Sequence, residues 1–185
     1  MSLRLLPNIL TLFRMIAVGP IVLWLLQGRY FAAFVLAIFA GVSDLLDGYL
    51  ARRFGWMTHF GGVLDPLTDK LLLVSTVFTL AWLQQLPWWL VVLVVLRDVV
   101  IICGGLYYHH RIERITDAKP TTLSKWNTLM QIVLVVAVML GLAFPPAQGP
   151  WLQWLIYITA VTTVASGLQY VYIWSLKARR HSEHA

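Results

Sequence analysis

Apolar residues run along this chain in long blocks, separated by short polar segments. Six blocks carry the pattern, over residues 9–26, 30–52, 61–84, 87–108, 123–144 and 151–176. A helix that crosses a bilayer needs about 20 predominantly apolar residues, and the blocks are of that size. Pro7 suits the first turn of the first helix, and Pro20 predicts a kink within it. The first block does not resemble a cleavable signal, because Arg14 interrupts it and no small-residue cleavage site follows. No linker, low-complexity tract or internal repeat divides the chain. The pattern predicts a single all-α domain over residues 1–185, a polytopic membrane protein of six transmembrane helices.

Composition sharpens this. Hydrophobic residues make up 59% of the chain and charged residues 12%, where a soluble domain carries about 25% charged. A soluble enzyme and a disordered chain are excluded. The lone Cys103 excludes a disulfide framework and a Cys-ligated zinc site, and is expected to be a small buried residue. The net charge of +6 does not signal nucleic acid, because no basic cluster is interleaved with aromatics on a polar face. The charges follow membrane topology instead. Arg4, Arg52, Arg53, Arg111, Arg114, Lys119, Lys125, Lys177, Arg179 and Arg180 fall on one side of the predicted spans, and only Arg29 on the other. Cytoplasmic loops carry the Lys/Arg excess, so both termini and the loops near 53–60 and 109–122 are expected in the cytoplasm. Trp24, Trp82, Trp88, Trp89, Trp151 and Trp154 fall at the opposite ends of the spans, as an interfacial belt would.

Four of the eight acidic residues stand between positions 44 and 69: Asp44, Asp47, Asp65 and Asp69. A charge at the centre of a spanning helix costs about 2.5–3.5 kcal/mol on insertion scales, and four neighbouring acids also repel one another. Cations must neutralise them. Asp44 and Asp47 are i, i+3 at the end of the second helix, and Asp65 and Asp69 are i, i+4 at the start of the third. The two antiparallel faces can meet in a cavity near the cytoplasmic surface. Carboxylates without His or Cys suit Mg²⁺ or Mn²⁺, and four of them can hold two ions about 3.5–4 Å apart. Gly48, Ala51 and Arg52 continue the Asp44 face, and Gly61 precedes Asp65 by one turn. Small residues admit a ligand to the backbone, and Arg52 can reach a phosphate. The implied chemistry is metal-assisted transfer of a phosphorus group at a membrane surface. Ion pairing inside the bundle is a poorer explanation, because Lys70 and Arg97 are the near cations. An intramembrane-acid transporter is a second alternative, but its acids would lie near the midplane.

The run D-L-L-D-G-Y-L-A-R, followed after eight residues by G-G-V-L-D-P-L-T-D, resembles the signature of the CDP-alcohol phosphotransferases. Asp44, Asp47, Gly48, Ala51, Arg52, Gly61, Asp65 and Asp69 all match its fixed positions. Pro7 to Arg14, Leu96 to Ile102 and Ser124 to Gln131 resemble segments of phosphatidylglycerophosphate synthases. The resemblance implies six membrane helices, commonly in a homodimer, in a bacterial inner membrane. It implies that Asp44, Asp47, Asp65 and Asp69 bind two divalent ions at the pyrophosphate of CDP-diacylglycerol. It implies that Asp69 is the general base, and that Gly48, Ala51, Arg52 and Gly61 line the CDP pocket.

The acceptor alcohol is less sharply marked. A phosphorylated acceptor needs fixed cations, and Arg97, Arg111, Arg114, Lys119 and Lys125 are available. Arg97 and Lys125 stand where phosphatidylglycerophosphate synthases carry basic residues, which favours glycerol 3-phosphate. Lys119 to Gln131 and Thr159 to Ser166 resemble CMP-forming cardiolipin synthases equally well, and those use phosphatidylglycerol. For Arg97–Asp98, a structural role with Asp98 pairing to Lys70 or Arg97 and a role in acceptor binding both stay open. His109 and His110 are expected to be interfacial, and Gly104–Gly105 and Ala165–Gly167 to allow close helix packing.

Overall fold

The structure, a computed structural model, describes residues 6–54, 61–111, 121–145 and 149–182, with side chains over 10–46, 68–104, 121–145 and 149–175. It contains six α-helices: α1 (Leu6–Leu26), α2 (Tyr30–Phe54), α3 (Gly61–Trp82), α4 (Trp88–Arg111), α5 (Thr122–Ala143) and α6 (Trp151–Ser182). Every helix end but one falls within a turn of the position expected from the hydrophobic blocks. The exception is α6, which continues to Ser182. Its final turns hold Lys, Ala and Arg with no Gly or Pro to stop them, and cations are favoured at a helix C-terminus. Pro20 lies inside α1, which continues as one helix on both sides of it.

Two helix ends close in the same way. At the end of α1, the Arg29 amide donates to the Trp24 carbonyl and the Gly28 amide to the Leu25 carbonyl. This is a Schellman motif, with Gly28 at φ 73° in the left-handed position. At the end of α3 the Gln85 amide donates to the Leu80 carbonyl and the Gln84 amide to the Ala81 carbonyl. Here Gln84, at φ 58°, takes the position that glycine normally fills. At the start of α5 the Thr121 hydroxyl accepts from the Ser124 amide at 3.2 Å, an N-cap.

The chain forms two compact units. Unit 1 comprises residues 1–86 and 135–149, and unit 2 comprises 87–134 and 150–185. In unit 1, α1 packs on both α2 and α3. Its buried stripe is Thr11, Arg14, Ala17, Val18, Ile21 and Leu25, the i, i+3, i+4 spacing of one helical face. Ala33 and Ala40 of α2, and Thr68, Leu73, Thr76, Val77, Thr79, Leu80 and Ala81 of α3, are buried as well. In unit 2, α4 packs on α6. Its interior is unusually polar: Arg97, Asp98, Ser124, Asn127, Gln131, Thr159, Thr163 and Ser166 are all buried.

The outward faces are the reverse. Ile16, Phe39, Leu45, Val92, Val161 and Leu168 are all more than half exposed. Large apolar side chains thus cover the outward faces while Arg14, Arg97 and Asp98 are buried, the arrangement a hydrocarbon solvent selects. Among the described residues, α5 and the Trp151–Ser175 part of α6 are long and apolar enough to cross a membrane. Cys103 departs from expectation, since it is exposed. It follows the exposed Val99 and Ile102 along α4, so it shares their outward apolar face rather than a core.

Candidate active site

Three helices of unit 1 bring one cation and two acids together. Arg14 lies on the buried stripe of α1 and is only 1% exposed. Its Nη1 contacts Oδ1 of Asp44, on α2, at 2.5 Å, and also donates to Oδ1 of Asp69, on α3. The carboxylates are far more open than the cation, with side-chain exposures of 39% for Asp44 and 46% for Asp69. A buried guanidinium alone would carry a desolvation penalty of several kcal/mol, and two converging carboxylates would repel one another. Each charge therefore makes the other tolerable, and the contact ties α1 to both neighbours.

In the sequence Arg14 interrupts the first apolar block and ends the Pro7–Arg14 segment, but it is not marked there as a site residue. The expectation that Lys70 and Arg97 are the near cations left out Arg14: a cation that Asp44 and Asp69 share comes from α1. A signal was present. Thr11, Arg14, Ala17, Val18 and Ile21 follow one helical face, and a charge on the buried face of an apolar helix needs a partner of opposite sign.

The other expected residues divide by position. Asp47, Gly48, Ala51 and Arg52 follow Asp44 along α2, and Gly61 and Asp65 precede Asp69 along α3. Their side chains lie outside the described residues, as does that of Arg111. Arg114 and Lys119 lie outside altogether. Lys125 is exposed in the first turn of α5. What can be tested for a metal is the donor chemistry of Asp44 and Asp69. They offer only hard oxygen donors, come from different helices, converge within reach of one nitrogen, and remain partly open. That set fits a divalent cation such as Mg²⁺ or Mn²⁺.

Arg97 is placed differently, inside unit 2. Its Nη1 donates to Asp98 Oδ1 at 2.8 Å, its Nη2 to Ser124 Oγ at 2.5 Å and to Ser166 Oγ at 3.0 Å. Its Nε also reaches Ser166 Oγ at 3.3 Å, and the Tyr170 ring lies 6.0 Å from the guanidinium carbon. Of the two partners expected for Asp98, Arg97 is therefore one that the structure supplies. Of the small residues expected to allow close packing, Gly104 does so. A Cβ on Gly104 would come within 2.9 Å of Trp174 Nε1, and Gly167 lies against the Arg97 stem, where a Cβ would meet Cγ at 3.7 Å. Gly104 thus lets α4 and α6 approach closely, while at Gly167 a Cβ would make only ordinary contact.

The model of the CDP-alcohol phosphatidyltransferase family matches residues 4–165, and this chain belongs to that family. The matched stretch includes Arg14, the four aspartates, Arg97 and Lys125. A Drosophila melanogaster protein named as a probable CMP-forming cardiolipin synthase is 35% identical over 89% of this chain and 56% of its own length. A Cereibacter sphaeroides CDP-diacylglycerol–glycerol-3-phosphate 3-phosphatidyltransferase is 32% identical over 77% of this chain and 66% of its own. A chloroplastic enzyme of that same name from Oryza sativa subsp. japonica is 34% identical over 89% of this chain and 55% of its own. The chain thus spans between about half and two thirds of the length of these relatives.

Proposed function

We propose that this protein transfers the phosphatidyl group of CDP-diacylglycerol to an acceptor alcohol, releasing CMP, and that the acceptor is glycerol 3-phosphate. The observation that carries the reading is the convergence of Asp44 and Asp69, the first and last acids of the signature, on one point of unit 1. Asp44, Asp47, Asp65 and Asp69 would together hold divalent cations, two ions of Mg²⁺ or Mn²⁺, which when bound offset the pyrophosphate charge. Asp69, 46% exposed on its side chain, takes the proton of the acceptor hydroxyl. The hydroxyl oxygen forms a bond to the lipid-side phosphorus, and the bond from that phosphorus to the CMP oxygen breaks with its electron pair leaving on CMP. Gly48, Ala51 and Gly61 leave room for the nucleotide, and Arg52 binds a phosphate. Arg111, Arg114 and Lys125 are the candidates for the acceptor phosphate. The four polar contacts of Arg97 within unit 2 favour a positioning role over direct acceptor binding.

In this reading all six helices cross the membrane, and both termini and the catalytic face are cytoplasmic. The outward apolar side chains and the ten-to-one distribution of basic residues support it. The setting is a bacterial inner membrane, and the family resemblance suggests a homodimer.

A second reading takes phosphatidylglycerol as the acceptor, making the product cardiolipin. The Drosophila relative, matched over 89% of this chain, favours it. An acceptor panel separates the two. Purified protein is given CDP-diacylglycerol, Mg²⁺ or Mn²⁺, and one alcohol at a time, while CMP and lipid product are followed. Product with glycerol 3-phosphate alone supports the first reading, and product with phosphatidylglycerol alone the second. No CMP release with any acceptor refutes both.

A further inference from the structure

We propose that Arg14 is a resident countercation of the acidic site. It holds Asp44 and Asp69 together when no divalent ion is bound, and it competes with that ion for the same carboxylates. The proposal rests on the reading of these acids as divalent-ion ligands, and goes beyond it by assigning a role to a residue outside the acidic signature.

Three features carry it. First, a single nitrogen, Nη1, contacts one oxygen of each acid, and these are the carboxylates that would hold the ion. Second, the guanidinium is anchored. Arg14 is 1% exposed and shares its helical face with the buried Thr11, Ala17, Val18 and Ile21, so its charge stays in the site's neighbourhood whether or not an ion is bound. Third, both carboxylates open outward, so an ion can reach them without passing through the core. A carboxylate has two oxygens and about four lone-pair positions, so the contact with Arg14 exhausts neither acid.

Two consequences follow from charge alone. Without a divalent ion, the positive charge of Arg14 lowers the repulsion between acids on α2 and α3 and keeps the helices in register. With an ion present, the same charge repels it and weakens its binding. Arg14 therefore exchanges some ion affinity for a site that remains assembled while empty. A residue serving only to pack α1 would stabilise the loaded and empty protein equally, so the dependence on divalent ions distinguishes the two roles.

The test uses the full chain in detergent, as wild type, Arg14→Gln and Arg14→Lys. Mn²⁺ binding is read from the loss of the free-ion EPR signal, and thermal unfolding is followed in EDTA and in Mg²⁺. The expected result is that Arg14→Gln binds Mn²⁺ at least about tenfold more tightly than wild type. It should lose Tm mainly in EDTA and regain most of it in Mg²⁺, while Arg14→Lys stays near wild type. Equal Tm losses in EDTA and Mg²⁺, with unchanged Mn²⁺ affinity, overturn the proposal while leaving the acids as ion ligands. Absence of Mn²⁺ binding in wild type and variants alike overturns that reading and the proposal with it. If Arg14→Gln does not fold in EDTA, folding restored by Mg²⁺, or by the paired change Arg14→Gln/Asp44→Asn, supports the proposal. Failure of both to restore it overturns the proposal.

Discussion

Replacing Arg97 with Met removes a buried charge while keeping most of the stem that packs on Gly167. Arg97 and Asp98 are 6% and 8% exposed, so the substitution strips a nearly buried carboxylate of its guanidinium. Breaking one side of a buried ion pair costs about 3–5 kcal/mol. The lost contacts to Ser124 and Ser166 add about 0.6 kcal/mol each on the scale measured for polar contacts between membrane helices. The expected loss is therefore about 4–6 kcal/mol. Adding Asp98→Asn should recover most of it, because the remaining carboxamide carries no charge to leave uncompensated. The assay is reversible unfolding of the purified protein in mixed micelles, with the two single variants and the double variant closing a mutant cycle. A stability for Arg97→Met within about 1 kcal/mol of wild type would refute the reasoning. Kinetics give an independent check. A KM for the acceptor that rises far more than that for CDP-diacylglycerol, with the fold intact, would make Arg97 an acceptor ligand instead.

Asp69→Asn should abolish CMP release while CDP-diacylglycerol still binds, measured by turnover and by equilibrium binding of the labelled lipid; near-normal turnover would remove the base assignment. Gly104→Ala should destabilise by about 1–3 kcal/mol, because its Cβ would come within 2.9 Å of Trp174 Nε1. Gly167→Ala, whose nearest neighbour would be Arg97 Cγ at 3.7 Å, should be neutral or stabilise by up to about 1 kcal/mol through helix propensity. Thermal unfolding of the two side by side tests both, and similar losses would contradict the packing argument. Gln84→Gly should stabilise by about 0.5–1 kcal/mol, since glycine adopts the left-handed conformation at this helix end without the Cβ clash; a lower Tm would count against that account.

The helices were legible because hydrophobic block length is a one-dimensional property. The first, third and fifth blocks end at residues 26, 84 and 144, and the helices end at Leu26, Trp82 and Ala143. The acid pair was legible for a similar reason: a carboxylate is so costly in an apolar helix that Asp44 and Asp69 require explanation wherever they point. The partner of those acids was not read from the sequence. Arg14 is separated from Asp69 by 55 positions, and its match to both acids depends on how α1 packs against two other helices. Cys103 failed for the opposite reason. Cysteine is among the most buried residue types in soluble proteins, but on an outward apolar face the same side chain needs no core. The polar interior of unit 2 also escaped the pattern, because Asn127, Gln131 and Thr163 stand out in the sequence only within segments that resemble the family, not as a buried polar cluster. Their sequence separations of 32 and 36 close only when α5 meets α6.

The two buried arginines show why charge alone separates the candidate site from the scaffold. Arg97 is matched by Asp98, one acid for one base, and its remaining contacts go to neutral hydroxyls on α5 and α6. That pair is balanced in charge and nearly closed to solvent, so it pins helices together. Arg14 faces two acids, leaving one net negative charge among the three described side chains. The surplus resides on carboxylates that are more than a third exposed, while the cation beneath them is not. A buried positive charge with an open negative rim stays folded without a ligand and still draws cations from outside. Asp47 and Asp65, a turn away along α2 and α3, would enlarge that surplus. Unit 1 is thus where ion binding and phosphorus chemistry have an electrostatic reason to occur, and the Arg97 cluster of unit 2 is where stability should respond to mutation independently of divalent ions.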